Sequence, residues 1–117
     1  MGKVYIYGLV DTRNNNIFYV GSTQKPEERK RKYINQGGTS LAARILIREI
    51  KKSGVEHEFI ILDECDKELR DERESFWIQK CKNDGNTLLN KRVPYYGRTH
   101  EAARQYYGEF APTNFND

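Results

Sequence analysis

Two short runs near the amino end, Val4 to Val10 and Ile17 to Val20, are crowded with β-branched and aromatic residues. Such residues suit a pleated, half-buried strand. Between them lies Asp11-Thr12-Arg13-Asn14-Asn15-Asn16. Asn and Asp tolerate left-handed backbone and form local turns, so the pattern predicts a β-hairpin. Alternation with period two sends Tyr5, Tyr7 and Leu9 to one face and Ile6 and Gly8 to the other. In the second strand it puts Ile17 and Tyr19 on a shared face.

Farther along, the period changes to that of helices. Pro26 fits a first helical turn, where its missing N–H costs nothing, and Glu27 and Glu28 suit the positive helix start. This helix should run to about Gln36 and end at Gly37-Gly38. Only Tyr33 and Ile34 in it are apolar, so packing alone gives it little. Arg29 and Tyr33 stand four apart and share a face. Ser40 can cap a second helix, with Leu41, Ile45 and Leu46 as its apolar stripe, Ile50 behind them and Gly54 at its end. Glu58 to Leu62 reads as a buried strand, and Asp66 as the cap of a third helix reaching about Lys82. Leu88 to Val93 reads as a short edge strand, Thr99 to Tyr107 as a last helix, and Phe110 to Asp117 as a docked or frayed tail. Internal repeats and low-complexity segments are absent from the sequence.

Composition narrows the picture. The 117 residues, 37% hydrophobic and 32% charged, make one domain with a small core and a heavily ionised surface. The net charge of +3 hides a segregation: residues 24–52 carry nine Lys/Arg against three Glu, and residues 56–74 carry nine acids against three bases. If the fold gathers the basic blocks on one side, they face an anionic polymer. Charge alone favours the plainer reading, helices solvated to keep a small protein soluble. Cys65 and Cys81 have no CxxC spacing, and His57 and His100 are isolated, which excludes a clustered zinc site. Cys81 falls on the apolar side of the third helix, a buried thiol suited to a reducing interior. No stretch of about 18 apolar residues occurs, so no membrane role is expected, and the expected location is cytoplasmic. The run Arg29-Lys30-Arg31-Lys32 resembles a nuclear localisation patch, a pattern too short to decide anything.

Candidate chemistry centres on the third helix. At about 100° per residue, Glu74 falls between Cys81 and Ile78, on the protein-facing side. An inward carboxylate needs a partner. That partner is either a neighbouring arginine, Arg70 or Arg73, or a hard cation. The wheel leaves both open. Tyr5, Tyr7 and Tyr19 taken singly read as packing residues of a hairpin, and Asn90 as a turn or strand-end residue.

Taken in order, these positions resemble the GIY-YIG nuclease family. Tyr5-Ile6-Tyr7 is similar to the first signature and Tyr19-Val20-Gly21 to the second. Arg29 in Pro26-Glu27-Glu28-Arg29 matches the family's arginine, and Glu74 in Glu72-Arg73-Glu74-Ser75-Phe76-Trp77-Ile78 its metal-binding glutamate. Asn90 in Leu88-Leu89-Asn90 matches its late asparagine. The likeness spans about residues 3 to 92, and around Glu74 it is greatest to the catalytic domains of phage homing endonucleases. Departures are also clear. Tyr5 stands where the first signature has glycine, which is expected to reshape the strand, and the hairpin loop is one residue longer. Ser22 stands where repair-type members have Lys, with Lys25 nearby, and Tyr33 where members have His or Tyr.

The resemblance implies an α/β (α+β) fold, a small and mostly antiparallel central sheet flanked by helices. Residues 1–92 would form the nuclease core and 93–117 a carboxy-terminal helix and tail. It implies hydrolysis of DNA phosphodiester bonds with one Mg²⁺ or Mn²⁺ held by Glu74. Arg29 would meet the scissile phosphate, and Asn90 would orient neighbours. Tyr7 is the first choice for general base and Tyr19 the second, with Tyr33 assisting. A free phenol has a pKa of about 10, so a nearby cation must favour the phenolate. Lys25, Lys30, Lys32, Arg44 and Arg48 would contact neighbouring phosphates of double-stranded DNA. Homing relatives add a separate DNA-binding region that these 117 residues have no room for. Site choice is then expected from the domain itself, a homodimer partner or a separate specificity subunit. Competing readings are a restriction- or repair-type incision nuclease on the same fold, a catalytically silent nucleic-acid-binding module, and a small interaction domain.

Overall fold

A computed structural model of the chain describes residues 2–36 and 40–90. Strands β1 (Lys3–Asp11), β2 (Asn16–Thr23) and β3 (Glu58–Asp66) form one sheet in the order β2-β1-β3, antiparallel throughout. Helices α1 (Pro26–Gln36) and α2 (Leu41–Lys52) come between β2 and β3, and α3 (Arg70–Asn83) follows a 3-10 turn at Lys67–Leu69. The hairpin turns as its asparagines suggest. Asn15 takes the left-handed conformation, with φ 61°, and the N–H groups of Asn14 and Asn15 donate to Asp11 O at 3.2 and 2.7 Å. Asp11 in turn accepts from the Arg13 N–H and guanidinium.

Central strand β1 is covered on both faces. Tyr7 and Leu9 pack with Phe18, with Tyr33 of α1, and with Ala43, Ile47 and Ile50 of α2. Ile6 packs the other way, with Val20 and with Ile78 and Cys81 of α3. Burial of these side chains is the main stabilising term, about 1.5–3 kcal/mol for each large one. These layers form a single compact α+β unit, the architecture expected.

The simple alternation fails in β2. Leu9 pairs with Tyr19 but Val10 pairs with Ile17, so Phe18 is an extra residue. Such a bulge sets two residues against one and resets the facing of the rest of the strand. Phe18 and Tyr19 therefore both pack on the α1/α2 side, and Ile17 packs on the α3 side. The expectation that Ile17 and Tyr19 share a face is corrected. A second bulge in β3 leaves Leu62 between the partners of Ile6 and Tyr7. Leu62 and Asp63 both serve α3: Leu62 joins its apolar cluster, and Asp63 accepts from Trp77 Nε1 at 2.9 Å and from the Arg73 guanidinium. At Tyr5 the pairing with Thr23 and Glu64 stays regular, so the bulky residue does not reshape the strand.

Two helix expectations also change. Ser40 caps α2, its Oγ accepting from Ala43 N–H at 3.3 Å, and Gly54 closes it at φ 98°. The buried stripe, however, is Ala43, Ile47 and Ile50, while Leu41 and Ile45 stay 64% and 51% exposed. Residues 41–50 offer two overlapping apolar stripes at helical spacing, and the sheet takes the one with the small residue. Asp66 does not cap α3; it stays extended, with its carboxylate on Lys3 Nζ at 3.1 Å.

Residues 86–90 run along the free edge of β2 without forming a regular strand. Amide side chains complete the contact: Ile17 N–H donates to Asn86 Oδ1 at 2.8 Å, Leu89 N–H to Phe18 O at 2.7 Å. Asn90 meets both backbone groups of Val20, at 3.0 and 2.7 Å, as a strand neighbour would. Gly37-Gly38, the rest of the Leu88–Val93 strand, the Thr99–Tyr107 helix and the tail lie outside the described residues.

Candidate active site

Tyr7 is placed by its strand and by an absence across from it. Its cross-strand partner is Gly21. A Cβ on Gly21 would meet the Tyr7 hydroxyl at 2.5 Å and ring carbon Cζ at 2.6 Å, so only glycine lets the phenol lie across β2. The ring also stacks on Phe59, with centroids 4.7 Å apart. Its hydroxyl reaches the Tyr33 hydroxyl at 2.8 Å, and Arg29 Nη1 donates to it at 3.5 Å. Arg29 and Tyr33 reach it together because they lie one turn apart on α1. The helix that is polar nearly all round thus has one buried anchor, Tyr33, 3% exposed. His57 lies against the Tyr33 ring, with centroids 6.5 Å apart. Its Nδ1 is the one buried side-chain polar atom without a hydrogen-bond partner among the described residues. Burial lowers the His57 pKa, against the pull of Glu56, which keeps the imidazole neutral.

Burial pushes the Tyr7 pKa far above that of a free phenol, and Tyr33 adds to the rise, while Arg29 opposes it. The cation asked for by the phenolate is present, yet desolvation outweighs it. Tyr7 is a neutral hydroxyl at ordinary pH. Tyr19, half-buried on the same face, is raised by burial, then by Tyr33 and by the charge of Glu74, and lowered by Arg29. Its phenol therefore feels both the guanidinium of α1 and the carboxylate of α3. This is the link that joins Glu74 to the tyrosines across the two sides of the sheet. Asn90, bound to Val20 next along β2, ties the segment after α3 to the same edge. Arg29 is raised overall: its phenol contacts outweigh burial, and its charge stays fixed.

Beside this cluster opens a cleft of about 550 Å³, whose lining includes Ser22, Lys25, Arg29, Arg31, Lys32 and Arg70. Lys25 and Lys32, two of the residues expected to contact phosphates, line this cleft. Lys30, Arg44 and Arg48 are exposed but lie outside that lining. Sequence reading missed Arg31 and Arg70 in the cleft, and Gly21 beneath Tyr7. The signature Tyr19-Val20-Gly21 carried the signal for Gly21; no local pattern marks Arg70 as reaching β2. Arg73 donates to Asp63, and Arg70 donates from Nε to Ser22 Oγ at 2.9 Å.

Among the described residues no three of His, Cys, Asp and Glu cluster to hold a metal ion. A zinc cage is therefore not built from them. The donors at hand are oxygens, the Glu74 carboxylate with the Tyr19 phenol near it. One carboxylate with substrate phosphate and water fits a hard divalent cation of the magnesium kind.

Residues 3–90 match the family of the GIY-YIG catalytic domain. No curated protein and no solved structure matches the chain. The family's nucleases generally depend on a divalent metal, which agrees with the oxygen donors beside Tyr19. A match over most of the chain, on a fold that hydrogen-bonds Tyr7 to Tyr33 and to Arg29 at the margin of the cleft, shows that this chain belongs to the GIY-YIG nuclease family.

Proposed function

We propose that the protein is a metal-dependent endonuclease that hydrolyses phosphodiester bonds of double-stranded DNA, of the phage homing type. The observation that carries this reading is the hydrogen-bonded set of Tyr7, Tyr33 and Arg29, with Arg29 lining a basic cleft and the charges of Arg29 and Glu74 both felt by Tyr19. Glu74, with Asn90 fixing the adjacent edge, would hold Mg²⁺ or Mn²⁺, which supplies charge to the scissile phosphate and the leaving 3′-oxygen. Arg29 offers its planar fork where negative charge grows on the phosphate. Tyr7 orients that fork and, through its hydroxyl, the attacking water. As a neutral phenol already bound to Tyr33 at 2.8 Å it takes no proton itself, and the proton of the attacking water leaves to solvent. Lys25, Arg31 and Lys32 hold flanking phosphates.

Supercoiled plasmid incubated with protein and Mg²⁺, with and without chelator, tests this. Nicked or linear product that chelator prevents is the expected result; intact plasmid under every metal tried contradicts it. End mapping then separates the homing-type reading from a restriction- or repair-type one. The basic cleft also suits a silent binding module, which would retain DNA in a salt-sensitive manner and leave the plasmid whole. Two buried free thiols, Cys65 and Cys81, favour the reducing cytoplasm as its place of action.

A further inference from the structure

Two arginines from different elements line the cleft: Arg29 on α1 and Arg70, the first residue of α3. They share an unusual mode of anchoring. Arg29 donates to the Tyr7 hydroxyl, and Arg70 donates from Nε to Ser22 Oγ at 2.9 Å. Neither anchor is a carboxylate. The arginines with structural tasks differ: Arg13 is paired with Asp11, and Arg73 with Asp63. A neutral anchor fixes a guanidinium without cancelling its charge, and leaves its Nη edge to a ligand with matching acceptors. The Arg70 side chain makes no other hydrogen bond or ion pair among the described residues, and it is solvent-exposed. Ser22, its anchor, is buried at 7% exposure and belongs to β2 just past Gly21. The hydroxyl is thus fixed relative to Tyr7, which lies over that glycine. Lys25 in the same cleft is partly offset by Glu28 at 3.5 Å, whereas no carboxylate among the described residues is paired with Arg70.

We propose that Arg70, oriented by Ser22, is a positioning residue that holds a backbone phosphate of bound DNA next to the one met by Arg29. This rests on the nuclease reading for its ligand and not for its geometry. Arg70 fixes the register of the strand in the cleft and does not touch the reacting atoms. It therefore governs affinity and its salt dependence more than the rate on bound DNA.

Arg70→Gln is the variant to compare, because its amide keeps a donor for Ser22 and removes the charge. Retention of a short DNA duplex is measured against salt concentration with chelator present, and single-turnover cleavage at saturating duplex with Mg²⁺. The slope of log affinity against log salt should fall by about 0.9, the value of one phosphate contact. Any fall in the rate on saturating duplex should be smaller, as a factor, than the fall in affinity, and Arg70→Lys should restore the slope. An unchanged slope overturns the inference, as does a loss of rate with the slope intact. A parent protein that retains duplex with a salt slope but cuts nothing ends the nuclease reading, while the slope of Arg70→Gln still decides the phosphate contact. A parent protein that retains no duplex overturns the inference outright.

Discussion

On its α1/α2 side the sheet is packed by rings: Tyr7, Phe18 and Tyr33, with Tyr19 and Phe59 against them. On its α3 side the buried core is aliphatic, Ile6, Val20 and Ile78, closed by the Cys81 thiol. Adjacent residues of one strand, Ile6 and Tyr7, supply the two kinds of packing. A phenol has an apolar body and a polar tip, so the first side can bury surface and still bring hydroxyls together at its margin. On the second side the Trp77 ring packs against the cluster and turns its N–H to Asp63. That side contributes to the site by holding α3 so that Glu74 comes near Tyr19 at the β2 edge. In the proposed mechanism, catalytic chemistry is a property of one core and the position of the other.

The largest effect should come from breaking the ring-packed side itself. Phe18→Ala is expected to cost about 3–5 kcal/mol of stability, since its ring is wholly buried at a bulge that cannot collapse easily. Urea unfolding measures it, and a loss under about 1 kcal/mol would mean this side is not a packed core. Next, Arg29→Ala should slow single-turnover cleavage by about 10²–10³-fold, the range for losing a preorganised donor to a transition state. Filter retention of DNA should change far less, and a pure affinity loss goes against the assignment.

Smaller changes sharpen the contrast. Tyr7→Phe keeps the stacked ring and removes the hydroxyl from Tyr33 and Arg29. A stability loss of about 1–1.5 kcal/mol is expected, with a clear fall in cleavage rate; full activity would remove Tyr7 from the mechanism. The α3 side has its own polar fastening, the Asp63 carboxylate held by Trp77 and Arg73. Burial acts to raise the Asp63 pKa, but hydrogen bonds from Trp77, Arg73 and the Glu64 N–H outweigh it, and the folded value lies below the ordinary one. Its contribution is thus present above the unfolded pKa, about 3.9, and lost as pH falls through the folded value. Asp63→Asn should lower Tm modestly at pH 7, and the difference should shrink as pH falls below about 3.9. Fluorescence of Trp77, the single tryptophan, reports the same loss; a difference that persists in acid contradicts the linkage.

Much of this was legible from residue order. The hairpin, its left-handed asparagine, the Ser40 cap, the buried Cys81 thiol and the pairing of Arg29 with Tyr33 on one helical face all come from local rules. What escaped was tertiary. Two bulges reset the alternation in β2 and β3, and nothing in a run of apolar residues says which one is doubled. The α2 stripe had two solutions, and only the sheet chooses between them. Ser22 and Arg70 are 48 residues apart, a contact that no periodicity reveals. The ordering of the site residues was readable; the burial that keeps Tyr7 neutral needed the neighbours around it.

The central claim is that the carboxylate of one side completes the phenol and guanidinium site of the other. Glu74→Ala tests it most directly, compared with the parent for nicking of supercoiled plasmid in Mg²⁺ and for filter retention of the same DNA in chelator. The account predicts that cutting disappears, by more than about 10³-fold, while retention persists. Cutting at the parent rate by Glu74→Ala, purified free of contaminating nuclease, would contradict it.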